Sequence, residues 1–152
     1  MENNNITTEL FSEFKKQKDL LISATQNYAN RFEENSIFSF NLSSEQVKKY
    51  TTDFFGFSGE LVDIQEKLSG IIFKISELLI SSYNENDVSK IKIFDSYIRC
   101  FSSIQIYLNE FTENCSTHLK DASSIRSELH KSAISLKKKL EMLSSLYPEL
   151  EL

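Results

Sequence analysis

A chain of 152 residues is long enough for one domain and too short for two ordinary ones. Its formal charge of −5 argues against a general nucleic-acid binder, because phosphate binding is driven by concentrated Lys and Arg. Three glycines and one proline exclude a turn-rich sheet protein and predict a few long helices, for which 40% apolar residues can supply a core.

Helix one is expected over about residues 6–36. Leu10, Phe14, Leu21, Ala24, Tyr28 and Phe32 fall near one face, with Gln17 in the same series. Glu13, Lys15, Lys16, Lys18 and Asp19 mostly point away from it and read as a solvated surface. The first junction, residues 36–44, contains no glycine. Ser43, followed three residues later by Gln46, fits a capping box that starts helix two. Phe38 and Phe40 are placed to fold back over the turn.

Helix two, about residues 44–81, carries the most regular pattern in the chain. Val47, Tyr50, Phe54, Phe57, Leu61, Ile64, Leu68, Ile71, Ile75 and Leu78 are separated by steps of three or four residues. This is a heptad seam, and it calls for a partner helix. Phe54 and Phe57 belong to that core series and not to an aromatic ligand site. Gly56, Gly59 and Gly70 lie off the seam, and interior glycine costs a helix about 1 kcal/mol relative to alanine. Either another helix approaches closely on that outer face, or the helix breaks locally around residues 55–58.

Asn86 or Asp87 should cap a third helix over about residues 87–147, ended by Pro148. Its seam runs from Ile91 and Phe94 through Gln105, Thr112, Cys115 and Arg126 to Leu140, Leu143 and Tyr147. A second stripe, Tyr97, Ile104, Phe111 and Ile125, widens the apolar face in the first two thirds only. A wide face suits a bundle and a narrow seam suits a two-helix coil. Unbroken, this helix would run roughly 90 Å, so its late part is expected to project, with Leu129, Leu136, Leu140 and Leu143 docking a second chain. Gln105, Thr112 and Arg126 are polar positions on the seam, where single polar residues fix register and partner choice; the alternative is a bend or water-filled layer near residues 112–116.

Cys115 falls on the seam and Cys100 beside it, at a position open to exposure. On a continuous helix they would lie roughly 22 Å apart, too far for a disulfide, so reduced thiols are expected. His118 and His130, about 18 Å apart on such a helix, cannot share a metal ion. The sequence contains no zinc-protease, Cys-x-x-Cys, phosphate-loop or nucleophile-elbow motif. No enzyme activity, metal or cofactor is therefore expected. Arg126, Lys131, Lys137, Lys138 and Lys139 form a basic cluster that complements a helix C-terminus, or alternatively contacts an acidic partner or an anionic membrane. There is no apolar run of about 18 residues to span a bilayer, and the polar start does not match a secretory leader. A cytoplasmic protein is expected.

Arg31, Phe32 and Glu33, then Phe40, Asn41, Leu42, Ser43 and Ser44, then Leu61, Val62, Asp63 and Ile64 ahead of Leu68 and Ile71, resemble the KxDL-domain proteins. The resemblance spans about residues 26–75, with Gln65, Glu66, Lys67 and Leu68 keeping only the last letter of the naming motif. It implies a small helical subunit of an assembly such as BORC, acting in lysosome or vesicle trafficking on the cytosolic face of an organelle. The combined expectation is an all-α protein, a single elongated domain over 1–152 with three long antiparallel helices in a coiled-coil-like bundle. Its function would be that of a non-enzymatic coiled-coil subunit of a cytosolic complex, with other helical proteins as partners in a homo- or hetero-oligomer. The alternative is a peripheral membrane or cargo adaptor using the basic end of helix three.

Overall fold

The computed structural model describes residues 2–34 and 43–152, and among these the chain is helical with no strand. The first junction, with Phe38 and Phe40, lies outside the described residues. Four principal helices pack together: α1 (Glu2–Glu34), α2 (Ser44–Asn84), α3 (Val88–Ser116) and α4 (Ile125–Glu141). A short helix α5 (Leu143–Leu146) and a 3-10 turn (Pro148–Leu150) follow.

The caps explain where α2 and α3 begin. Ser43 Oγ accepts from the Gln46 amide while Gln46 Oε1 accepts from the Ser43 amide, so each satisfies an otherwise orphan donor of the first turn. Asp87 likewise accepts from the amide of Lys90 at the start of α3. Between the two helices, Asn86 adopts φ 56°. Asparagine tolerates this left-handed conformation, which is how the chain reverses here without glycine.

Contacts along the helices fix their directions. Phe32 near the end of α1 stacks on Tyr50 near the start of α2, and Tyr28 stacks on Phe57, so these helices run antiparallel. Phe11 and Phe14 meet Tyr97, and Tyr28 meets Phe111, so α1 and α3 run in the same direction. Lys139 reaches Glu110 and Tyr147 bonds Ser103, so α4 and the tail return along α3. Each helix packs on its sequence neighbour and α4 closes the ring against α1. This is an up-down-up-down bundle, the arrangement that short connections favour.

The continuous third helix is thus corrected to two helices. The seam's phase persists through Cys115, Leu119, Ala122 and Arg126, but residues 117–124 leave the helix in a series of turns. Side chains there compete for the backbone: Thr117 Oγ1 donates to the Asn114 carbonyl, and Asp121 Oδ1 accepts from both the amide and the hydroxyl of Ser123. Ser, Thr and Asp offer the chain such local alternatives to helical bonding. The sequence alternative of a bend near residues 112–116 lies close to the observed break, although α3 continues to Ser116.

That turn also overturns the projecting end. Leu129, Leu140 and Leu143 are 0% exposed and Leu136 2%, all within the core of this same chain. A narrow apolar stripe suffices because α4 inserts between α1 and α3, which present the rest of the apolar surface. Beyond Glu141 the short α5 and the final turn extend this cover along α3, with Leu143 and Leu150 buried.

Two smaller expectations change as well. Cys100 is buried, since it falls between Tyr97 and Ile104 on the second apolar stripe. Lys18 is buried too, its stem covered and its Nζ 2.7 Å from Asp19 at the surface.

Candidate interaction surface

The sequence-derived basic cluster does not form one surface. Arg126 Nη2 donates to the carbonyl of Phe32 at 3.0 Å, satisfying an acceptor near the end of α1 and tying α4 to it. Lys131 lies 3.8 Å from Glu128, Lys137 3.4 Å from Glu141 and Lys139 2.9 Å from Glu110. Such exposed pairs contribute little to stability, but they offset most of the local positive charge. Three consecutive lysines also span about 200° of a helix, so Lys137, Lys138 and Lys139 cannot face one plane. The leucine series on α4 is core, as described above.

The histidines remain apart in role. His118 Nδ1 bonds Ser124 Oγ at 3.1 Å, holding the turn between α3 and α4. His130 stacks on Phe32 with centroids 5.5 Å apart. Among the described residues, no group of three or more His, Cys, Asp or Glu side chains could hold a metal ion.

A cleft of about 240 Å³ opens between the start of α1, the end of α2 and the start of α3, with Phe11, Leu78, Ile93 and Phe94 in its wall. It is smaller than the roughly 300–1,000 Å³ usual for ligand sites. Its polar lining is mainly serine hydroxyls, with Glu85 and Lys90 the charged members.

The more informative surface is the outer face of α2. Phe55, Val62, Phe73 and Ile80 are 61%, 52%, 66% and 62% exposed. At 100° per residue these four lie within about 20° of one line along the helix. Single exposed apolar residues are ordinary, but an aligned series is not. Gly59 and Gly70 flank the line on one side. The helix runs without interruption from Ser44 to Asn84, so the local break considered around residues 55–58 does not occur. Among the described residues, a Cβ added at Gly56, Gly59 or Gly70 would meet nothing within 4 Å, so no described element accounts for them.

The open space gives a direct prediction. Gly56→Ala, Gly59→Ala and Gly70→Ala should each stabilise the isolated bundle by up to about 1 kcal/mol. For a chain of this size that corresponds to about 2–4 °C in Tm per kcal/mol. Thermal melts in dilute solution check it; a lower Tm for any of the three would reveal a neighbour at that position.

Among the described residues, no helix is long and apolar enough to cross a membrane. No family model, curated protein or solved structure matches the chain.

Proposed function

We propose that this protein is a non-enzymatic subunit of a cytosolic assembly of helical proteins, docking through the outer face of α2. The observation that carries this reading is the aligned exposed series Phe55, Val62, Phe73 and Ile80 on a helix whose opposite face already fills the core. Water contact with four large apolar side chains is unfavourable by about 25 cal/mol per Å², and a coiled-coil partner helix removes it. The resemblance of residues 26–75 to KxDL-domain proteins supports placing the assembly in lysosome or vesicle trafficking. The membrane-adaptor alternative is weaker, since carboxylates accompany most of the basic cluster.

Affinity purification of the tagged full chain from its own cells, followed by mass spectrometry, tests the proposal. Helical proteins should co-purify with the wild type, and their recovery should fall at least tenfold with Val62→Glu/Phe73→Glu. Anionic vesicles should not sediment the protein. Recovery of the chain without partners after in-cell cross-linking, or vesicle binding lost on Lys137→Glu/Lys138→Glu/Lys139→Glu, would reject it.

A further inference from the structure

The occupant of the α2 face can be specified further, resting on the subunit reading just given. The exposed residues Phe55, Val62, Phe73 and Ile80 are spaced by seven, eleven and seven residues. That series reads the same from either end, about a midpoint between Lys67 and Leu68. We propose that the face binds a second copy of this chain, with the two α2 helices antiparallel and a twofold axis passing by that midpoint.

A twofold interface is self-complementary, so each residue must meet a suitable residue equally far on the other side of the axis. Here Phe55 falls opposite Ile80 of the second copy, and Val62 opposite Phe73. Each of these four contacts joins apolar side chains that this chain leaves exposed. Gly59 falls at the level of Ser76, which borders the contact line from the opposite flank, so only small residues flank the line at that level.

The charges agree with the same register. Under a twofold axis normal to the plane of the two helices, the same flank of each helix faces its counterpart. Asp63 and Lys74 share the flank carrying Gly59 and Gly70, and both are exposed. In this register Lys74 of one copy lies between the levels of Glu60 and Asp63 of the other, within about 3 Å along the axis. The pairing occurs twice by symmetry. Glu66 lies beside the axis, where two copies would repel, but Lys67 on the same flank reaches the opposite Glu66. A parallel twofold pairing would instead set this charged flank against the opposite flank of the second copy, which carries Ser58, Gln65, Ser69 and Ser76 and offers Lys74 no carboxylate.

The size of the surface sets the strength. Two phenylalanines, a valine and an isoleucine, each more than half exposed, supply roughly 400 Å² of mainly apolar surface per copy. With the flanking residues this approaches the roughly 600 Å² per partner at the lower end of the standard interface size. The expected dimer is therefore reversible, with a micromolar dissociation constant.

Sedimentation equilibrium of the full chain at about 100 µM, well above a dissociation constant in that range, should show a dimer. Val62→Glu/Phe73→Glu should be a monomer with unchanged helicity by circular dichroism, because both positions face solvent in the bundle. Cysteine scanning then reads the register. Glu66→Cys places the two thiols about 4.5 Å apart along the axis, so mild oxidation should cross-link it. Val62→Cys places them about 16 Å apart and should not cross-link. A monomeric wild type, a variant that stays dimeric, or cross-linking at Val62→Cys equal to that at Glu66→Cys each overturns the proposal. The two readings fail separately: a monomeric wild type that still captures a different helical protein through Val62 and Phe73 rejects the second copy alone, whereas a dimer that recovers no other helical protein rejects the subunit reading alone.

Discussion

Replacing Leu136 and Leu140 with Asp should unfold the whole bundle and not merely detach a partner. Both leucines are in the core, 2% and 0% exposed, on the helix that fills the space between α1 and α3. Loss of each side chain alone is worth about 2–5 kcal/mol through lost burial and a residual cavity. Each Asp additionally brings a carboxylate into an apolar site with no cation placed to meet it. Against a total stability of about 5–15 kcal/mol, the double variant has little left, even though neighbouring substitutions are not additive. Far-UV circular dichroism should show most helicity lost in a dilute sample, whereas Lys138→Asp, exposed on the same helix, should change stability by no more than about 0.5 kcal/mol. A double variant that keeps its helicity and changes only its oligomeric state would restore these leucines to the surface role their seam first suggested.

The reason that role was attractive in the sequence is physical. Cys115, Leu119, Ala122, Arg126 and Leu129 keep steps of three or four residues across the turn, so periodicity carries no mark of it. The turn also lacks the glycine and proline that usually punctuate helices. Its signature is instead the density of Ser, Thr, Asn and Asp from Thr112 to Ser124, whose side chains bond locally to the backbone. By contrast, the starts of α2 and α3 were legible to within about one residue, because Ser43, Gln46 and Asp87 sit there and cap them.

The α2 face was half legible. The seam predicted which residues of α2 enter the core, and Tyr50, Phe54, Phe57, Leu61, Leu68 and Ile75 are buried. The residues it left over, Phe55, Val62, Phe73 and Ile80, carry no separate heptad signal that would stand out before the core is known. Ile72 shows the same limit from the other side: it lies off the seam yet is buried. Helices with two occupied faces mix two patterns in one sequence. Only the packed bundle tells which apolar residues remain outside.

Alkaline pH should destabilise the bundle through groups that the sequence placed only in part. Burial pushes the Cys100 thiol from its ordinary value of 9.0 up to about 12, with Lys18 opposing the shift. Burial does the same at Cys115, also to about 12, against a hydrogen bond with Ser132. Both thiols stay protonated in the folded chain while the unfolded chain ionises near pH 9. A raised folded value means that the associated stability is complete below the unfolded value and is lost as pH rises toward the folded one. The loss therefore begins near pH 9 and continues to about 12. Each thiol contributes at most about 1.4 kcal/mol per pH unit, so two of them remove up to about 5 kcal/mol over two units. Tyr28 and Tyr97, both raised by burial, add to this above their ordinary value of 10.0. Urea midpoints measured against pH should fall steeply above 9, and Cys100→Ala/Cys115→Ala should flatten the curve between about pH 9 and 10, before tyrosine ionisation takes over. In the native wild type a thiol reagent should label neither cysteine at pH 8 until the chain is unfolded. Rapid native labelling, or a slope unchanged in the double alanine variant, would show that these thiols are open to solvent and that the alkaline limit lies elsewhere.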